Sequence, residues 1–113
     1  MPPRTASAKM REKLGRLKTS LLAIGPVAQG SILRRTIRRP DPARPGAMKD
    51  YGPYYQWTRK VAGKTVTVRL TKPQATLLET WISNGRRLDR ILAQMQRVSH
   101  RATDRLLQRL RQP

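Results

Sequence analysis

The chain reads as an α+β protein with an N-terminal helix, a small three-stranded antiparallel sheet and a long C-terminal helix. Three observations predict this. Apolar residues recur at helical spacing in the first 25 residues and again after residue 71. Between them lies a stretch rich in β-branched and aromatic residues that alternates with period two. The 113 residues suffice for little more than one compact domain. The expected division is a basic N-terminal helix or arm over residues 1–28, then a single α+β domain over 29–112 whose helix occupies about 71–112.

Residues 1–6 are expected to be loose. From Ser7, a candidate N-cap, the residues Met10, Leu14, Leu17, Leu21 and Ile24 follow at spacings of four and three. Gly15 weakens this helix by about 1 kcal/mol relative to Ala. Gly25-Pro26 is expected to end it, because Gly suits a left-handed C-terminal position and Pro cannot continue a helix. Lys9, Arg11, Lys13, Arg16 and Lys18 between the apolar rows make the helix basic and amphipathic. Residues 31–39 contain β-branched residues and no breaker, which predicts a strand. Residues 40–53 hold Pro40, Pro42, Pro45, Gly46, Gly52 and Pro53, which predicts a loop.

A hairpin follows. With Ala62-Gly63 as the turn, Tyr55 faces Leu70, Trp57 faces Val68 and Arg59 faces Val66 on one side. Gln56 faces Arg69, Thr58 faces Thr67 and Lys60 faces Thr65 on the other. Side chains alternate across a sheet, so this register separates a mostly apolar face from a polar one, and a slip by one residue would mix them. The turn dipeptide is not Asn-Gly, which leaves a longer loop with a different register as the alternative. Thr71-Lys-Pro-Gln74 has the form of a capping box. Leu77, Trp81, Leu88, Ile91, Met95, Val98, Ala102, Leu106 and Leu110 then keep one helical phase. That length predicts a single long helix with a coiled-coil or dimer seam, with Asn84-Gly85 as the candidate break.

Composition narrows the chemistry. The 25 Lys and Arg against 6 Asp and Glu give a formal charge of +19, which points to a polyanionic partner, although a codon bias towards Arg would give the same count. Cysteine is absent, which excludes disulfides and thiolate metal sites. Glu12, Asp41, Asp50, Glu79, Asp89 and Asp104 are scattered, and the single His100 stands in no catalytic or metal-binding motif. No catalytic residue, metal ligand or cofactor is therefore expected, and the chain is read as not an enzyme. No apolar run approaches the roughly 18 to 20 residues that span a bilayer. Leu21-Leu-Ala-Ile24 is too short for a signal peptide. The expected location is cytoplasmic, associated with the nucleoid. An N-terminus rich in Arg, Lys and Ser leaves an organelle transit peptide as the alternative.

Candidate nucleic-acid contacts fall in three groups. The polar hairpin face offers Gln56, Thr58, Lys60, Thr67 and Arg69, with Lys64 at the tip and Tyr54 beside them. Gln and Arg bond base edges bidentately, and a β-ribbon fits the DNA major groove. The competing reading is a solvated face on which Thr pairs merely support the ladder. Tyr54 could stack on an unpaired base or cover the sheet edge. The doublets Arg34-Arg35 and Arg38-Arg39 are candidate phosphate contacts. Arg86, Arg90, Arg97 and Arg101 on the last helix are secondary candidates, diluted by Glu79, Asp89 and Asp104.

Gly30-Ser-Ile-Leu33, Gly52-Pro-Tyr-Tyr55, Trp57, Gly63-Lys-Thr65 and the run from Trp81-Ile82 to Arg86-Arg-Leu88 resemble a family of small uncharacterised basic proteins. Members are encoded by bacterial and archaeal mobile elements, often beside transposases. The resemblance covers about residues 29–110. Many members carry a cysteine-rich stretch where this chain has residues 40–50 without cysteine, so no metal or thiol role carries over. The family implies a mobile-element setting and no defined activity. The sheet-plus-helix plan is also similar to the arm-type DNA-binding domain that precedes tyrosine recombinases, on architecture alone. The expected function is non-catalytic DNA binding as an accessory protein of a mobile element, through the hairpin and the Arg clusters. The alternatives are structural RNA binding of the ribosomal-protein kind, and a helical interaction subunit. The C-terminal helix would then pair with a second copy or with a transposase or recombinase.

Overall fold

The computed structural model describes residues 6–111 as α1 (Ala6–Leu22), β1 (Ser31–Pro40), β2 (Met48–Val61), β3 (Lys64–Leu70) and α2 (Lys72–Arg111). The class and order match the α+β expectation, and the strands form one antiparallel sheet ordered β1-β2-β3. The loose stretch expected over residues 1–6 lies outside the described residues apart from Ala6. The chain divides into a sheet unit, Pro26–Ser83, and a helical unit that combines residues 6–25 with 84–111, so α2 contributes to both.

In the helical unit, α1 begins at Ala6, which puts Ser7 inside the first turn and not at the cap. Its far end also closes early. Ala23 N donates to Ser20 O at 3.2 Å and Ile24 N to Leu21 O at 3.1 Å, three-residue bonds that tighten a last turn. The Thr19 and Ser20 hydroxyls meanwhile bond the Gly15 and Arg16 carbonyls, which loosens the helical ladder there. Gly25 is not left-handed, so Gly25-Pro26 follows the helix end and does not cause it. Met10, Leu14, Leu17, Leu21 and Ile24 are half-buried, as the periodicity requires. They lie alongside an antiparallel α2, where Leu88, Met95, Val98 and Ala102 are half-buried and Ile91 is buried.

The start of α2 obeys its capping box in both directions. Thr71 N donates to Gln74 Oε1 at 2.9 Å, and Gln74 N donates to Thr71 Oγ1 at 3.3 Å. The helix then runs unbroken through Asn84-Gly85, which a single Gly permits at a cost of about 1 kcal/mol. The predicted apolar seam needs correction at both ends. Ala75 and Ile82 are the buried positions of the first turns, with Leu78 and Trp81 half-buried, whereas Leu77 is 52% exposed. Leu106 and Leu110 are also exposed, together with Leu107.

All seven pairs between β2 and β3 follow the predicted register, from Tyr55 with Leu70 to Val61 with Lys64. Ala62 (φ 50°) and Gly63 (φ 79°) both take positive φ, the signature of the two-residue turn whose twist suits a hairpin. The predicted loop over 40–53 is shorter than expected. Only residues 41–47 connect the strands, closed by Asp41 N to Ala47 O at 2.9 Å and shaped by Ala43 N donating to Asp41 Oδ1 at 2.9 Å. Residues 48–53 belong to β2 because a bulge accommodates Gly52-Pro53. Arg35 pairs with Tyr54 and Ile37 with Tyr51, so the single Thr36 opposes two residues. Proline is tolerated at such an irregularity. Gly52 sits at φ +118°, where an added Cβ would lie 2.9 Å from the Arg35 carbonyl oxygen.

The apolar face carries Ile32, Tyr55, Trp57, Val66, Val68 and Leu70 by pairing and alternation. At Trp57 the extended segment after Pro26 reaches the sheet: Gln29 O accepts from Trp57 Nε1 at 2.8 Å, while Ala28 N donates to Trp81 O at 3.0 Å. This segment ties the first turns of α2 to the central strand, and Val68 stays 40% exposed.

Candidate nucleic-acid interface

The bulge in β2 determines which side chains meet on the polar face. In a regular strand, Tyr51 and Tyr54 would point to opposite sides, because they are three positions apart. The extra residue at Gly52-Pro53 reverses the alternation, and both tyrosines line one groove with Arg35, Arg39, Gln56 and Arg69. Ile37, Pro40 and Pro42 complete its walls, and its volume is about 590 Å³.

Aromatic rings and cations are stacked within this face. The Arg69 guanidinium lies 3.8 Å from the centre of the Tyr54 ring, and Lys49 Nζ lies 5.3 Å from that of Tyr51. Stacking holds the Arg69 plane flat while leaving its N–H groups at the edge. Thr58 and Thr67 share a hydrogen bond of 3.1 Å across the strands, so part of their bonding capacity supports the ladder. Lys60 pairs with Thr65 on the same face and extends the array towards the hairpin tip.

The arginine doublets are divided by the sheet. Arg35 and Arg39 belong to the Gln56 face, while Arg34 and Arg38 alternate to the Trp57 face. There Arg38 Nε approaches Asp50 Oδ1 at 3.5 Å, an exposed ion pair. Lys64, opposite Val61, likewise has the parity of the Trp57 face at the turn. Arg59 sits on that face too, its guanidinium 3.9 Å from the Trp57 ring centre and its Nη1 buried without a hydrogen-bond partner. The structure therefore brings together Arg35, Arg39, Tyr54, Gln56, Thr58, Lys60, Thr67 and Arg69, and separates Arg34, Arg38 and Lys64 from them. Tyr51 and Lys49 join the site although the sequence reading omitted them. The signal available was a Gly-Pro pair within an otherwise strand-like aromatic run.

Charge on this sheet unit is unevenly distributed. Eleven cations stand against three acids between Pro26 and Ser83. Asp50 is on the other face with Arg38, Asp41 turns to its own loop, and Glu79 is on α2. The Gln56 face carries no carboxylate.

Arg86, Arg90, Arg97 and Arg101 are exposed along one side of α2 in the helical unit, with Asp104 further along the same side. Arg97 and Arg101 border a groove of about 290 Å³ with Lys13 and Arg16 of α1. Lys9 and Arg105 flank a neighbouring groove of about 350 Å³. These pairings of α1 cations with α2 cations depend on the helix arrangement and had no sequence signal.

Among the described residues, no three His, Asp or Glu side chains gather as metal ligands would, and no helix is long and apolar enough to cross a membrane. Comparison with protein-family models, curated proteins and solved structures finds no match.

Proposed function

We propose that the chain is a non-catalytic DNA-binding protein, an accessory factor of a mobile element, that binds through the Gln56 face of its sheet. The observation that carries this reading is the carboxylate-free array of Arg35, Arg39, Lys60 and Arg69 around Gln56 and Tyr54. Cations supply the phosphate attraction that gives affinity. Gln56 and the flat Arg69 fork supply bidentate groups of the kind that read base edges. The mobile-element setting follows from the resemblance carried by the Gly-Pro-Tyr-Tyr and Gly-Lys motifs.

The division of the arginine doublets provides the test. Duplex affinity is measured by fluorescence anisotropy from about 50 to 200 mM salt, where log K falls by about 0.9 per phosphate contact for each tenfold rise in salt. Arg35→Ala/Arg39→Ala should lower the magnitude of that slope by up to about 1.8. Arg34→Ala/Arg38→Ala, on the opposite face, should leave it unchanged. Equal effects of the two pairs would refute the face assignment. Tighter binding of structured RNA in a competition at fixed salt would replace DNA with RNA as the partner.

A further inference from the structure

The groove on the Gln56 face has a shape that a ribbon lying in a duplex does not need. A ribbon enters the major groove by protruding into it, whereas here the polar and aromatic side chains line a half-open groove of about 590 Å³. That volume lies within the roughly 300–1,000 Å³ typical of sites for single small molecules. Pro40 and Pro42 are part of its lining.

From this geometry we infer that the groove holds one unpaired nucleotide of a DNA strand. Its base stacks against Tyr51 and on the Arg69 guanidinium that Tyr54 supports, and its phosphate lies on Arg35 and Arg39. The inference rests on the DNA-binding reading above and specifies the state of the DNA. Three features support it. The bulge puts two tyrosines on one face, and tyrosine rings are stacking surfaces for bases of any sequence. Arg69 lies over the Tyr54 ring, 3.8 Å from its centre, so the outer surface of that stack is a guanidinium, and bases stack on guanidinium planes as well as on rings. Gln56 at the groove wall offers an amide to the exposed edge of the base, and no carboxylate opposes the phosphate.

The test uses the full chain and two DNA probes of equal length and charge. One is a blunt-ended, fully paired two-strand duplex, and the other is the same duplex with a single 2-aminopurine left unpaired by a mismatch. Binding of the second probe should quench 2-aminopurine fluorescence and be tighter than binding of the duplex by about 5- to 150-fold, the range expected of one stacked base. Tyr54→Leu should remove both the quenching and the preference, and Tyr54→Phe should retain them. Tyr51→Leu provides a second, independent position if Tyr54→Leu fails to fold by circular dichroism. Equal binding of both probes by the wild-type chain, or quenching that survives both leucine variants, would overturn the unpaired-nucleotide assignment while leaving duplex binding intact. Failure to bind either probe in dilute salt would instead refute the DNA-binding reading itself.

Discussion

Gly30 offers a severe test of how the sheet unit is assembled. It sits at φ +100°, and an added Cβ would lie 2.3 Å from the Thr58 carbonyl oxygen, 3.0 Å from Trp57 Nε1 and 3.1 Å from Arg59 Cβ. Ordinary C···O contacts begin near about 3.3 Å. Gly30→Ala therefore demands a shift of roughly 1 Å in a backbone carbonyl of the central strand, where Thr58 pairs with both Ser31 and Thr67. The backbone conformation itself costs about 1–3 kcal/mol for an L-residue. Losing the Trp57–Gln29 hydrogen bond and the first pair of β1, Ser31 with Thr58, adds about 1 kcal/mol each. The sum is about 3–5 kcal/mol, a large share of the roughly 5–15 kcal/mol that stabilises a domain. Both tryptophans lie in this unit, so their fluorescence during urea unfolding reports on it. With a slope of about 1–3 kcal/mol/M, the midpoint should fall by at least about 1 M. Gly46→Ala is the matched control. Its φ is +82° but an added Cβ meets nothing within 4 Å, so it isolates backbone strain from collision. If Gly30→Ala is no worse than Gly46→Ala, the close approach of residue 30 to β2 is refuted.

Two smaller perturbations address the hairpin turn and the helix cap. Ala62 takes φ 50° without a side chain suited to it, so Ala62→Asn should raise stability by about 0.5–1 kcal/mol, read as a higher urea midpoint. An unchanged or lower midpoint would contradict the two-residue turn. Thr71→Ala removes the oxygen that accepts from Gln74 N and should lower stability by about 1 kcal/mol, measured by the same unfolding. Thr71→Ser should restore it, and failure of that rescue would assign the loss to packing of the methyl group.

The sequence disclosed those features that depend on local pattern. The hairpin register was legible because only one pairing separates Trp57, Val66 and Val68 from Gln56, Thr65 and Thr67, and the observed pairs are that pairing. The capping box was legible because Thr71 and Gln74 satisfy each other within four residues. What escaped depends on contacts distant in sequence. Gly52-Pro53 marks a loop by composition, and only pairing with β1 reveals it as a bulge inside a strand. That one misreading also hid Tyr51, whose place beside Tyr54 exists because the bulge reverses the alternation. The helical seam was read through Leu77, the larger residue, while the small Ala75 is what lies buried. Hydrophobicity ranks residues by size and polarity, and close packing selects here for the absence of bulk.

The division of charge also bears on why the composition is basic. A codon bias towards Arg would scatter cations over both faces of a strand, and Arg34 and Arg38 show that cations do occupy the Trp57 face. Such a bias has no means of sorting the acids. The carboxylate nearest the Gln56 face along the chain, Asp50, has the opposite parity and pairs with Arg38, and Arg59 is engaged over Trp57. On the Trp57 face, Arg38 thus has a carboxylate neighbour that attenuates its charge. On the Gln56 face, Arg69 and Lys49 lie over tyrosine rings, which orient charge without neutralising it. Few large side chains are well buried among the described residues, so unopposed like charges on one face oppose a fold with a thin core. A bound polyanion would relieve that repulsion in the folded state, where the cations converge, more than in an unfolded chain that spreads them apart.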